Sequence, residues 1–199
     1  ARAEGGGRPT ARLSITMGTL NIAVSYALVY WSETILPSGL VAVLWAAHPM
    51  LIGVLSVWLL PDERLVGRQW IGLLLGFGGI ALLFATDLRT LGPGAVPAGL
   101  IMLGSPAVAA LGSVILKRDG AQTSSVLLNR NAFAIGGAML TLIALATERG
   151  DGAPAARWTA AALGSVAYLS LVGSVLAFGL YFWLLRHAPA YELGLISYV

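Results

Sequence analysis

Apolar residues run through this chain in six long stretches separated by short polar joints. The stretches cover approximately 13–35, 39–60, 70–86, 96–116, 126–147 and 159–185, and a seventh begins near 190 and is cut off at Val199. A helix needs roughly 17–25 apolar residues to cross a hydrocarbon core of about 30 Å, and all six reach that length. The joints between them are turn-forming or charged: Pro37-Ser38-Gly39, Pro61-Asp62-Glu63-Arg64, Gly92-Pro93-Gly94, Lys117-Arg118-Asp119-Gly120 and Arg149-Gly150-Asp151-Gly152. Strands of a membrane barrel are about 10 residues long and alternate strictly, which this pattern does not do. The interiors are rich in Gly, Ala and Ser, the small residues that let helices approach closely in lipid. The pattern predicts an all-α integral membrane protein, a polytopic helical bundle.

Composition removes the competing classes. Charged residues make up 11% of the 199 residues and hydrophobic ones 57%, whereas soluble domains carry about 25% charge. With no cysteine, a disulfide framework, a thiolate metal site and a Cys nucleophile are excluded. The net charge of +3 is spread along the chain, so no nucleic-acid partner is expected. The partner expected from composition is the lipid bilayer. The two histidines, His48 and His187, lie far apart in sequence and no carboxylate lies mid-span, so no metal, cofactor or enzymatic activity is expected. Ala1 in place of an initiator Met, and an end inside an apolar run, make a fragment of a longer chain the expectation.

Lys and Arg set the orientation, because acidic residues contribute little to the positive-inside rule. One set of alternate joints carries Arg2, Arg8, Arg12, Arg64, Arg68, Lys117, Arg118, Arg130 and Arg186; the other carries Arg89, Arg149 and Arg157. Nine against three places the first set in the cytoplasm, in a multi-pass protein of the cytoplasmic (inner) membrane. Trp31, Trp70, Trp158 and Trp183 fall near span ends, where indole rings anchor at the interface.

Shifting the chain on itself by 152 positions lays Tyr26–Trp31 on Phe178–Trp183, with Trp31 on Trp183 and Pro37 on Pro189. A helix, a proline turn and the start of another helix coincide, with five helices separating the copies. That spacing implies a five-helix unit used twice.

Further residues carry a family pattern. They are Gly39–Pro49, Leu60-Pro61-Asp62-Glu63-Arg64-Leu65, Gln69-Trp70-Ile71-Gly72 and the glycine-rich Gly76–Leu83, followed later by Arg130 and Tyr181–Pro189. In this order the chain resembles the EamA family of the drug/metabolite transporter (DMT) superfamily over about 12–199. The resemblance implies a ten-helix transporter built from two five-helix repeats, with both termini cytoplasmic and a small-molecule substrate as its partner. Residues 1–90 would then be the last three helices of the first repeat, and 91–199 a second repeat truncated in its fourth helix. His48 departs from the pattern, which has a small or hydroxyl residue before the helix proline.

Pro49 lies mid-span, cannot donate to the helix ladder and frees the carbonyl of Trp45. Such a carbonyl must face protein or water, and transporters of the repeat type place substrate at interrupted helices near the midplane. Pro106 sits similarly in its span. His48 is the one ionisable side chain deep in a span; it is a functional candidate by cost alone, and titrates near neutrality, against a structural role as an interhelical hydrogen-bonding group. Ser14, Gly18, Asn21, Ser25 and Ser32 share one face of the first span, and by the offset Val166, Ser170, Gly173 and Ala177 share a face of the sixth. The substrate-lining candidates are therefore Asn21, Ser25, Trp45, His48, Pro49, Ser105 and Tyr168. Trp45 is suited to stacking on a planar or cationic ligand, or simply to filling the bundle. Gly72, Gly76 and Gly79 form a small-residue ridge for helix packing, with homodimer contact as the second reading. The glycines from Gly76 onward imitate a dinucleotide fingerprint but lack its preceding strand. The expected function is secondary transport of a small metabolite or drug-like solute by alternating access, as an exporter. The alternative is a non-transporting membrane scaffold or receptor-like subunit.

Overall fold

A computed structural model describes residues 6–60, 65–92, 94–147 and 159–187 of the chain. The Pro61–Arg64 joint, Arg149, Arg157, Trp158, Pro189 and the stretch from 190 lie outside the described residues.

The six predicted stretches form six helical rods. Helix α1 runs Ala11–Glu33 and starts where Thr10 Oγ1 accepts a hydrogen bond from the Leu13 amide at 3.2 Å, a side-chain N-cap. Its middle, Gly18–Val24, is π-helical. Helix α2, Ser38–Leu59, is broken into Ser38–Trp45 and His48–Leu59, with Pro49 in the first turn of the second piece. At the break the Ala46 and Ala47 amides donate to carbonyls three residues back, at 3.1 Å each. This is the expected effect of a proline, which disfavours the helical backbone just ahead of it and supplies no donor. Helix α3, Gly67–Leu91, ends at Gly92, whose φ of 83° only glycine adopts freely. Helix α4, Ala95–Asp119, stays continuous through the buried Pro106, unlike α2 at Pro49. Helix α5 spans Ser125–Thr147. Helix α6 is built from Ala160–Tyr168, a second π-helical stretch Leu169–Ala177, and Phe178–His187. Five helices among the described residues, α1, α2, α4, α5 and α6, are long and apolar enough to cross a membrane.

Helix α4 is the centre of the bundle. Its small residues Ala98, Gly99, Ser105, Ala109, Ala110, Gly112 and Ser113 are buried, so α1 and both pieces of α2 approach it closely, and the last part of α6 reaches it too. One core cluster joins Leu13, Met17, Ile52, Ala110, Val114, Leu128 and Ala132, with Phe178, Tyr181 and Leu184 of α6 against it. A second joins Leu36, Leu40, Val41 and Leu44 to Ala95, Ala98 and Met102. Helices α1 and α5 cross at two glycines: a β-carbon on Gly18 would lie 2.9 Å from the Ala132 carbonyl oxygen, and one on Gly136 would lie 2.7 Å from that of Gly18. Hydrocarbon gives helices no mutual hydrophobic drive, so such close contact is what holds them together.

The segment before α1 lies across the α4–α5 joint. The Gly7 amide donates to the Gln122 carbonyl at 2.8 Å and the Ser124 amide to that of Gly7 at 3.0 Å. Large apolar side chains point outward on α3 (Leu74, Leu75, Leu82) and on the first part of α6 (Leu163, Leu169, Leu171). So many exposed leucines suit an apolar surrounding and not water.

Candidate functional site

A cavity of about 420 Å³ opens between α1, α2, α4 and α6, lined by Asn21, Tyr26, Ala42, Trp45, Ala46, His48, Ala109, Ser113, Ala177, Phe178 and Tyr181. Small-molecule sites commonly lie between the helices of a bundle and fall in the range of about 300–1,000 Å³. Five of the lining side chains are rings, and among the described residues no charged side chain lines it.

Each wall reaches the cavity through a local feature of its helix. On α2, the break at Ala46–Ala47 turns His48 back toward Trp45. The imidazole then meets the indole nearly edge-on, centroids 4.8 Å apart at 67°, a favourable aromatic geometry. On α1 and α6 the lining residues lie in or directly beside the π-helical stretches: Asn21 within Gly18–Val24, and Ala177, Phe178 and Tyr181 at and after the end of Leu169–Ala177. Helix α4 contributes Ala109 and Ser113, one turn apart.

The polar groups form a linked set. Ser113 Oγ donates to the Ala109 carbonyl at 3.0 Å, accepts from Asn21 Nδ2 at 3.3 Å and accepts from the Tyr181 hydroxyl at 3.2 Å. One hydroxyl thus uses its single proton and both lone pairs, tying α1, α4 and α6 together. Asn21 Nδ2 also donates to the Ala109 carbonyl at 3.3 Å, which fixes the amide's orientation, since an oxygen there would face another oxygen. Its Oδ1 is buried without a hydrogen-bond partner and lies where Gly112 lacks a side chain.

Of the substrate-lining candidates, Asn21, Trp45 and His48 meet at this cavity. Ser25 and Ser105 are buried beyond it and bond to each other, Oγ to Oγ at 2.9 Å, with Ser105 Oγ also donating to the Ser25 carbonyl at 2.9 Å. Pro49 is buried and sets the α2 break without lining the space. Tyr168 is 64% exposed, on a part of α6 that buries none of its residues. The small and polar face of α1 is buried throughout, at Ser14, Gly18, Asn21, Ser25 and Ser32. On α6 only Ala177 of the offset-related set reaches the cavity, while Val166 and Ser170 face outward. Spacing did not single out Tyr26, Ser113, Phe178 or Tyr181. Ser113 was accessible from the regular series Ser105, Ala109, Ser113 on one face of α4. Tyr181, one turn beyond Ala177, was accessible in the same way, whereas Phe178, directly beside Ala177, lies off that face.

Of the ridge glycines, Gly76 lies against the Met50 side chain, whereas a β-carbon on Gly72 or Gly79 would meet nothing within 4 Å.

A family model, the EamA-like transporter family, matches the chain twice, over residues 6–85 and 97–199. The chain is 29% identical over 192 residues to the uncharacterized transporter YvbV of Bacillus subtilis, covering 96% of this chain and 61% of that protein. It is 26% identical over 168 residues to Protein PecM of Dickeya dadantii, covering 83% of this chain and 54% of that protein. The chain therefore spans about half to three-fifths of the length of these relatives. No solved structure matches it significantly. Matched by the family model from end to end apart from the α3–α4 joint and the first few residues, the chain belongs to the EamA-like transporter family.

Proposed function

We propose that this chain is the middle portion of a ten-helix secondary transporter, and that the cavity between α1, α2, α4 and α6 holds its solute. Residues 1–90 supply the last three helices of one five-helix repeat and 91–199 most of the next. The two separate family matches support this division. So does the backbone: moved by 152 positions, the π-helical stretch Gly18–Val24 becomes 170–176, inside the second stretch Leu169–Ala177.

The observation that carries the reading is the character of the cavity wall, with five rings, neutral hydrogen-bonding groups and no charge of either sign among the described residues. A carboxylate or phosphate moved there from water would lose several kcal/mol of hydration with no cation to offset it. A cation would gain only about 0.5–2 kcal/mol from the rings. The fitting solute is small, flat and uncharged, with its body between Trp45, Tyr26 and Phe178 and polar atoms toward the Asn21–Ser113–Tyr181 set. Alternating access places this site in contact with each side of the cytoplasmic membrane in turn.

The test is uptake and release of labelled indole, against labelled indole-3-carboxylate, by the full-length protein in vesicles of low passive leak to indole. Saturable indole flux that His48→Ala or Trp45→Ala depresses at least tenfold is expected. Binding without flux in either direction would instead identify a scaffold or receptor-like subunit, and preferential flux of the carboxylate would refute the neutral-solute assignment.

A further inference from the structure

Helix α6 is gripped from the side at the point where its backbone ladder is irregular. The carboxamide of Asn129, on α5, donates from Nδ2 to the carbonyls of Ser174 at 3.2 Å and Val175 at 3.5 Å. Both carbonyls belong to the π-helical stretch Leu169–Ala177. One turn further along the same face of α5, the ring of Phe133 meets that of Phe178 edge-to-face, with centroids 5.2 Å apart at 86°. Phe178 is the first residue after the stretch, and it and Tyr181 line the cavity.

A π-helical stretch is less favourable than a continuous α-helix and persists where neighbours compensate it. Its bonds run five residues back and tilt carbonyls off the helix axis, which in hydrocarbon need an outside donor. Asn129 is 7% exposed and supplies that donor. The register matters downstream, because an α-helix has about 3.6 residues per turn. One residue more or fewer in the ladder turns everything after it by about 100°. A return of Leu169–Ala177 to α-helix with no residue removed would carry Tyr181 away from Ser113, to which its hydroxyl donates at 3.2 Å.

We propose that Asn129 is a positioning residue: by holding two carbonyls of the π-helical stretch it fixes the register of α6 and so keeps Phe178 and Tyr181 in the cavity wall. This rests on the cavity being the solute site, but its test needs no solute. It also accounts for a polar side chain whose other atom, Oδ1, is buried without a partner. The burial is tolerated for the sake of the amide protons.

The experiment uses the full-length protein in a cysteine-free background, which residues 1–199 already provide. Tyr181→Cys reports the register through its labelling by a membrane-impermeant maleimide; should that variant not fold, Phe178→Cys serves instead. Adding Asn129→Ala is expected to reduce the labelling rate at least fivefold, and Asn129→Gln to retain most of it. Deleting Val175 in the Asn129→Ala background removes the extra residue instead of holding it, and is expected to restore labelling to within twofold. Unchanged labelling in Asn129→Ala overturns the proposal. Loss of labelling or of folded protein that the deletion does not reverse overturns it too, as that is the behaviour of an amide needed only for packing. Absent solute flux with this labelling pattern intact would count against the transport reading alone.

Discussion

The carboxamide of Asn21 occupies the space that a β-carbon on Gly112 would require. The two residues belong to different helices, α1 and α4, and the contact lets Asn21 reach both Ala109 and Ser113. Close approach and hydrogen bonding at the cavity therefore depend on one another.

Gly112→Ala tests this dependence. Alanine gains roughly 0.8–1.0 kcal/mol of helix propensity over glycine, but overpacking a tight site costs about 1–3 kcal/mol, and displacing Asn21 leaves its buried amide without partners. The expected net effect is destabilisation by about 1–2 kcal/mol in a reversible detergent-unfolding assay. The pair Asn21→Ala with Gly112→Ala is expected to be more stable than the sum of the single changes predicts, a coupling that a double-mutant cycle measures.

Ser25 and Ser105 are predicted to be unequal. Ser105 Oγ accepts from Ser25 Oγ and donates to the Ser25 carbonyl, so Ser105→Ala removes two bonds and strands a buried hydroxyl. Ser25→Ala removes one and leaves the carbonyl bond in place. Interhelical hydrogen bonds in membranes average about 0.6 kcal/mol. Thermal unfolding in detergent should rank Ser105→Ala below Ser25→Ala, with both below the parent.

Pro49→Ala restores a backbone donor for the carbonyl of Trp45. The two pieces of α2 are expected to join, making the protein equally or more stable to heat. The edge-on pairing of Trp45 with His48 depends on the break, so solute binding is expected to fall about tenfold or more. Loss of stability together with binding would show that the proline serves packing alone.

Glycines in the same fold should separate by their surroundings. Gly18→Val places bulk against the Ala132 carbonyl and Ile135, both about 2.9 Å from the new β-carbon, and is expected to prevent accumulation of folded protein. Gly79→Ala meets nothing within 4 Å and is expected to stabilise the protein by up to about 1 kcal/mol through propensity. Quantitative immunoblots of the membrane fraction with thermal melts check both.

The helical rods were legible because each needs a long apolar run, and their ends followed the turn residues to within a few positions. The stripe of small and polar residues on α1 was legible for a related reason: a small side chain inside a span is conspicuous, and all of that stripe is buried. Trp45 and His48 could be placed together because Pro49 marks the break beside them. The π-helical stretches could not be read. Leu169–Ala177 takes its outside donor from Asn129 on another helix, and Gly18–Val24 and Leu169–Ala177 share no motif that announces them. With the register of α6 hidden, spacing points to the exposed Tyr168 and not to Phe178 in the cavity wall.

The tie between Gly7 and the α4–α5 joint bears on which movements the bundle can make. Its two hydrogen bonds, Gly7 to Gln122 and Ser124 to Gly7, join the entry of α1 to the ends of two neighbours. Sliding α1 lengthwise past α4 by a single residue rise, about 1.5 Å, works against both bonds. A tilt about that end leaves them intact. The tie opposes a piston and spares a lean, in which the rods would fan from that end as from a common pin.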